Sequence, residues 1–454
     1  MAHLNGHSSP HPIADAPAVS AADAVGMEPG ADAAATGSLR RTFTALEAAG
    51  IEYCLLRDWP SRDVLYRGGE IDMLVDASSV AELDDVLEGL GFARMRSWGH
   101  APHRFYVAYD ESLDVWLKLD VVDRLAFGAP GRTLATSFGA GTLNNRRASG
   151  PAFVAAPEEA CVALLLHCVL DKKRFSSQRC DDLKELCSQV RDPERLTALL
   201  GEYWHPSMTY ERMAGVIAAD RWSELLAYGP EVAGRLRRRD RGGELARRIG
   251  GRVLRKLNRV LPHFSNRPIT IALLAPDGAG KSTLAEGLRS SFYFPMRSVY
   301  MGLYGKGAIR SRTNRVPGVG FALRMLQQWS RYLTAAYHRA RGRFVIFDRY
   351  TYDALLGGKE GASSLRSLRR WLLAHACPAP DMVFILDAPA EVLYARKGEH
   401  DVARLDTQRR GYLEIQSQLP PCAVIDATAN PADLRRAVTG MIWNRFTCTT
   451  TPGQ

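Results

Sequence analysis

The chain has 454 residues, 46% of them apolar and 24% charged, with a formal net charge of +10. These are ordinary values for a soluble globular protein, and the length suits two or three domains. No window approaches about 18 consecutive apolar residues, which excludes a membrane-spanning helix. The eight cysteines, Cys54, Cys161, Cys168, Cys180, Cys187, Cys377, Cys422 and Cys448, form no CxxC pair, and several lie in apolar runs such as EEACVALLLHCVL. They read as reduced core thiols of a cytoplasmic protein, and their spacing to His167 does not suggest zinc.

Residues 1–38 are rich in Ala, Gly, Ser, Pro and His. They lack a basic start followed by an apolar run, so they are expected to be a disordered tail and not a secretory leader.

An α+β unit is expected over 39–150. Its most informative stretch is AGIEYCLLRDWPSRDVLYRGGEIDMLVD, a strand, a loop and a second strand carrying Glu70 and Asp72. Two residues apart on a strand, those carboxylates share a face. Asp120, in VWLKLDVVD, lies on a later apolar strand. Three carboxylates on adjacent strands can hold two Mg²⁺ ions for nucleotidyl transfer, and Glu70 and Asp72 can equally be solvent-facing strand residues. The pattern resembles the nucleotidyltransferase superfamily, whose signature is a Gly-Ser turn, a carboxylate pair and a later carboxylate. Arg57 and Asp58 stand at the turn, and Gly68 and Gly69 lie just before the pair. The resemblance covers residues 39 to about 125 and implies a metal site at Glu70, Asp72 and Asp120.

A helical extension is expected over 151–233. Within it, His167 and Asp171 of LLHCVLDKKRF read as helix-packing and surface residues. A basic amphipathic connector is expected over 234–266. Residues 235–259 hold eleven Arg or Lys and two acids, a net +9, so the rest of the chain is nearly neutral. Leu245, Ile249, Val253, Leu257 and Leu261 recur there at helical spacing. Such a helix packs on a neighbouring domain or lies on an anionic membrane surface. Without aromatic interleaving or a recognised motif, nucleic acid is not expected as a partner.

The C-terminal unit, 267–447, alternates the apolar runs ITIALLA, SVYMGL, RFVIFD, MVFILD and CAVID with helical patterns such as FALRMLQQWSRYLTAAYHRA; residues 448–454 read as a tail. Continuous apolar strands separated by helices predict a parallel sheet covered on both faces, so the fold class is α/β with a second, α+β unit.

The first of these strands runs into PDGAGKST. A strand, a glycine-rich loop and a helix start make a phosphate cradle of inward backbone N–H groups. Pro276, Asp277, Gly278, Ala279, Gly280, Lys281, Ser282 and Thr283 are therefore the expected nucleotide-binding residues, with Lys281 on the β- and γ-phosphates and Ser282 on Mg²⁺. Ala275 stands where the pattern has its first glycine, which serves if φ there is negative. Asp348, closing RFVIFD, is preferred to Asp387, closing MVFILD, as the carboxylate of the magnesium shell. Its neighbour Arg349 can clamp an acceptor anion or make a structural ion pair. Further on, LYARKGEHDVARLDTQRRGYLEI supplies Arg396, Lys397, Arg404, Arg409 and Arg410. Such a span is a mobile basic lid or a solvated helix.

PDGAGKST, DRY and the arginine-rich span before YLEI together resemble the thymidylate kinase family of P-loop kinases. The resemblance implies a five-stranded parallel sheet, ATP and Mg²⁺ as cofactors, Asp277 on the acceptor's sugar hydroxyl, Arg349 on its phosphate, and lid arginines such as Arg396 and Arg409 over the ATP phosphates. The family's REPG-like turn is replaced by YMGLYGKGAIRSRTNRVPG, and TYDALLGG follows DRY. In this the chain is closer to divergent members associated with bacterial surface-polysaccharide assembly, whose acceptor need not be a nucleotide. The expected activity is phosphorylation of dTMP or a related small acceptor, a nucleotide or a sugar. The alternatives are a bifunctional kinase and nucleotidyltransferase that activates a sugar precursor, and a non-catalytic ATP-binding module at a membrane assembly. Dimerisation is left open.

Overall fold

The computed structural model describes residues 31–57, 69–95, 100–128, 131–260, 268–303, 319–356, 364–398 and 400–448. Expectations for residues 1–30, 449–454, Asp58, Gly68 and Leu261 lie outside the described residues. The chain forms two compact units, residues 28–266 and 267–446.

The first unit opens with the helix Ala31–Ala48. Leu39, Phe43 and Leu46, spaced i, i+4, i+7, are fully buried, which is the stripe that docks a helix on a sheet. Helix therefore covers residues 31–38, which the sequence had assigned to the tail.

Nine strands follow among the described residues: β1 (Tyr53–Leu55), β2 (Ile71–Val75), β3 (Ala93–Met95), β4 (His103–Asp110), β5 (Val115–Val122), β6 (Ala126–Phe127), β7 (Leu134–Ala135), β8 (Arg147–Ser149) and β9 (Ala152–Val154). Seven form one mixed sheet in the order β3-β4-β5-β2-β1-β9-β8, and β6 and β7 make a separate ribbon. β2 runs parallel to β5 with Asp72 opposite Asp120, and β4 runs antiparallel to β5 with Phe105 opposite Asp120.

Strand alternation divides this unit into two cores. Tyr53, Leu55, Ile71, Met73 and Val75 join the cluster built on Leu39, Phe43, Leu83 and Leu87. Cys54 and Leu74 point the other way, into a cluster with Cys161, Leu165, Leu183 and Trp204 of the following helices. Asp72, one residue from Met73 and two from Leu74, is on this second face.

The basic segment is helical as far as it is described. Its helices, Gly229–Arg239 and Arg241–Val260, fall within the first unit.

Among its described residues the second unit has five strands: β10 (Thr270–Leu274), β11 (Met296–Tyr300), β12 (Phe344–Asp348), β13 (Met382–Asp387) and β14 (Cys422–Asp426). All pairings are parallel and the order is β11-β12-β10-β13-β14. This is the predicted five-stranded parallel sheet, with each expected apolar run on its own strand. β10 is central and buried along its whole length, as a strand with helices on both faces must be. Its carboxyl end opens into the glycine-rich loop, and the order reverses there, the usual crevice of an open α/β sheet.

All eight cysteines are free thiols. No described helix is long and apolar enough to cross a membrane.

Candidate functional site

The glycine-rich loop follows β10 and leads into the helix Lys281–Ser291. Gly278 and Gly280 have φ of +89° and +83°, in the left-handed region that favours glycine. Gly278 has a second constraint: a Cβ there would lie 2.5 Å from the Leu393 carbonyl oxygen. Leu393 belongs to the helix Ala390–Lys397 that follows β13, so that helix packs against the loop backbone. Ala275 is fully buried and is not among the residues with positive φ, so alanine is tolerated at that position.

Lys281 folds over its own loop, its Nζ donating to the carbonyls of Ala275 (2.8 Å) and Pro276 (2.7 Å). Burial, aided by the positive charge of Arg349, pushes its ammonium down to about 8, against the opposing carboxylates of Asp277 and Asp348. Asp348 ends β12 half-buried, and its side chain has no ion-pair partner among the described residues. With the Ser282 hydroxyl at the start of the loop helix, it offers two hard oxygen donors of the kind Mg²⁺ takes.

Arg349 sits in the left-handed region, φ +63°, a conformation that costs a non-glycine residue about 1–2 kcal/mol. It is held there on several sides. Its backbone N–H donates to the Leu273 carbonyl (3.1 Å). Its guanidinium donates to Asp277 Oδ1 (2.7 Å) and lies 3.6 Å from Asp353 Oδ2. Asp353 in turn accepts from the Tyr412 hydroxyl (2.8 Å). Strain retained by such over-determination is a mark of functional positions. Burial opposes ionisation of Asp277, yet the charges of Arg349, Lys281 and Lys397 outweigh it and hold its carboxyl low. His400 Nε2 also lies 3.6 Å from Asp277. The result is an alternating cluster of cations and carboxylates at the carboxyl edge of the sheet.

The two expected lid arginines are placed differently. Arg409 makes a bidentate contact to Asp387, Nε to Oδ1 at 2.6 Å and Nη2 to Oδ2 at 3.0 Å. Asp387, the rejected candidate for the magnesium shell, is thereby neutralised. Arg396 donates to the Ala427 carbonyl (2.9 Å), so it braces the turn after β14. Asp353 and Tyr412 were not singled out in the sequence. The only signal for Asp353 was a carboxylate four residues after Arg349.

The first unit holds a cavity of about 620 Å³. Glu70, Asp72 and Asp120 all line it, together with Arg57, His103 and Arg132. The three carboxylates line one cavity, Glu70 from just before β2 and not from the strand itself, and two already have partners. Asp72 pairs with Arg57 (3.0 Å), and Asp120 with His103 Nδ1 (2.6 Å), whose Nε2 contacts Arg132. Withdrawal from water, with Asp120 and Asp72 beside it, pushes the Glu70 carboxyl up. Among the described residues no three His, Cys, Asp or Glu groups converge to hold a metal ion. For the expected metal site at Glu70, Asp72 and Asp120 to form, Asp72 would have to leave Arg57 and Asp120 would have to leave His103.

His167 and Asp171 also line the cavity, on a π-helical turn, His167–Lys172. Asp171 accepts from the Gly128 N–H (2.6 Å) and pairs with His167 (3.1 Å). They were expected to pack helices or face solvent. Pattern reading does not register the π-turn that carries them.

No protein-family model matches the sequence, and no curated protein matches it. Among solved structures the chain is similar to a thymidylate kinase from Candida albicans, at 19% identity and a TM-score of 0.33, over 40% of this chain and 93% of that one. It is also similar to a deoxyadenosine kinase from M. mycoides, at 15% identity and a TM-score of 0.29, over 38% of this chain and 98% of that one.

Proposed function

We propose that the second unit is an ATP- and Mg²⁺-dependent phosphotransferase acting on a nucleoside monophosphate, dTMP first, or a related small anionic acceptor. One observation carries this reading. Lys281 on a glycine loop and Arg349 clamped between two carboxylates lie at the same sheet edge, which gives one cation for the donor phosphates and one for an acceptor.

In this reading the loop amides and the first turn of the Lys281–Ser291 helix hold the ATP phosphates, and the Lys281 ammonium swings from the Ala275 and Pro276 carbonyls to the β- and γ-oxygens. Ser282 and Asp348 would hold magnesium, which when bound neutralises phosphate charge. Arg349 fixes the acceptor anion, with Asp353 and Tyr412 as positioning residues behind it. Asp277, kept ionised by Arg349 and Lys281, accepts a hydrogen bond from a hydroxyl of the acceptor and orients it. Arg409 would contribute to the lid only by exchanging Asp387 for phosphate.

The test is ADP release by the full-length protein with Mg-ATP and dTMP, with Lys281→Ala as control. Turnover lost in the variant supports the reading. ATP binding without turnover on dTMP or other nucleoside monophosphates overturns the nucleotide acceptor and directs the search to sugars and sugar phosphates. Binding without turnover on any acceptor leaves the non-catalytic module as the answer.

A second reading has its own observation, the cavity of the first unit, lined by charged and apolar side chains and of a size that suits a small ligand. A bifunctional enzyme would use it for nucleotidyl transfer, and Asp72 and Asp120 would then have to part from Arg57 and His103. It predicts that Asp72→Asn abolishes nucleotide transfer to the phosphorylated product while ADP release continues.

A further inference from the structure

The helix Arg241–Val260 has two faces with different fates. One is docked. Glu244 is buried and accepts from the Thr133 hydroxyl (3.2 Å). Arg247 donates twice to the Thr133 carbonyl, at 3.1 and 2.9 Å, and once to Asp240 at 2.6 Å. The Arg255 guanidinium lies against Gly131. Residues 244, 247 and 255 fall within one sector of the helix, given about 100° per residue.

The other face is not docked. Leu245, Ile249, Val253 and Leu257 follow one another at i, i+4 and are 55%, 56%, 55% and 48% exposed. Their stripe turns away from the docked sector. A contiguous exposed apolar stripe of this kind marks an interaction surface. Arg248, Arg252 and Lys256 border it on one side, exposed and without an ion-pair partner among the described residues. The occupant must therefore accept apolar side chains and carry negative charge.

That combination selects among partners. A second copy of this chain would bury the stripe but bring the same basic border, and the same +9 segment, against it. Nucleic acid would satisfy the charge and leave the stripe in water. An anionic bilayer satisfies both, because its headgroups meet the cations while its acyl boundary receives the stripe. Gly242, Gly243, Gly250 and Gly251 make the helix weak in isolation. It is held by its docked face and would gain from an interface on the other.

We propose that this helix lies in the surface of an anionic lipid bilayer, docking the protein peripherally through Leu245, Ile249, Val253 and Leu257 with Arg248, Arg252 and Lys256 at the headgroups. The inference stands independently of any reaction at the second unit.

The experiment is flotation of full-length protein with vesicles of phosphatidylcholine alone or with about 30% phosphatidylserine. The expected result is binding to the anionic vesicles only, weakened about tenfold or more by high salt. Ile249→Asp with Val253→Asp should abolish it, and so should Arg248→Gln with Arg252→Gln and Lys256→Gln. Both multiple variants should keep wild-type thermal unfolding, since none of the changed side chains is on the docked face. Equal binding to neutral vesicles, or anionic binding unchanged in either folded variant, overturns the proposal. A vesicle-free dimer lost in the aspartate variant would assign the stripe to a second copy. Retention on DNA without vesicle binding would assign the charge to nucleic acid.

Discussion

The glycine loop and the carboxylate face of the first unit are both gatherings of charged groups at the ends or faces of buried strands, and they are wired differently. In the second unit a carboxylate, Asp348, and an ammonium, Lys281, are left with only backbone partners or none described, while Arg349 is held from behind by Asp353 and Tyr412. In the first unit both strand carboxylates are closed off by a partner, Asp72 by the Arg57 guanidinium and Asp120 by the His103 imidazole. An arrangement with groups in reserve can bind and transfer an anion. One with its charges already matched is stable as it is, and must break a pair before it can take a ligand.

The largest effect that separates the two regions is expected from Gly278→Ala. The new Cβ would meet the Leu393 carbonyl at 2.5 Å and would sit at φ +89°. The Leu393 carbonyl is backbone and not a flexible side-chain end, so the loop must move. ATP binding, read by calorimetry, should weaken by about 100-fold or more, since a misplacement of about 1 Å costs that much in a positioned site. Retained affinity would mean that the loop backbone does not form the phosphate cradle.

A smaller effect is expected from Asp353→Asn. The isosteric amide keeps the contact to Tyr412 but removes the charge behind Arg349. Because Arg349 keeps Asp277, the guanidinium stays in place but is less firmly aimed. We expect kcat/KM for the acceptor to fall by about 10- to 100-fold while the ATP Kd is unchanged. An equal loss in ATP affinity would show that the clamp serves the donor phosphates instead.

Lys281 gives a pH signature. Its ammonium titrates near 8, below the ordinary lysine value, because burial disfavours the charged form. A downward shift means that the charged form is present below about pH 8 and is lost above it. ATP affinity should therefore be flat below that point and fall toward tenfold per pH unit above it, with proton uptake on binding. Lys281→Arg should flatten the profile up to pH 10. A wild-type profile that is flat through pH 9.5 would contradict the burial of this group.

What the sequence made legible follows the same division. Ile271–Leu288 carries strand, loop and helix contiguously, so the site's donor half could be read from one line. The five buried strands were legible because parallel strands covered on both faces are apolar without interruption. Asp72 was legible on its strand, whereas Glu70, expected on the same strand, lies one residue before β2 and lines the same cavity. Their partners were not legible. His103 reaches Asp120 across antiparallel β4 and β5, and Asp171 reaches Gly128 over 43 residues through a π-turn. Sheet register and helix irregularity decide those meetings, and neither has a periodicity to read. The Tyr412–Asp353 contact spans 59 residues and was hidden for the same reason. Arg396 and Arg409 were assigned to the lid on local charge density, which cannot tell a free guanidinium from one already bound to a carbonyl or carboxylate.

The smallest expected effect tests the closed half of the comparison. Asp72→Asn removes the carboxylate from the Arg57 pair, in which the arginine is 60% exposed. A pair so open to water is worth about 1 kcal/mol or less. The substitution also relieves repulsion on Glu70, whose carboxyl is raised in part by Asp72. The two changes oppose each other, so the unfolding midpoint of the first unit should move by no more than about 2–4 °C. ADP release by the second unit should not change. Glu70 should titrate closer to the ordinary carboxylate range in the variant, measurable by NMR of the labelled side chain. A large loss of stability would mean that the Asp72–Arg57 pair anchors the cavity wall. An upward move of Glu70 would mean that repulsion from Asp72 is not among the causes that raise its carboxyl.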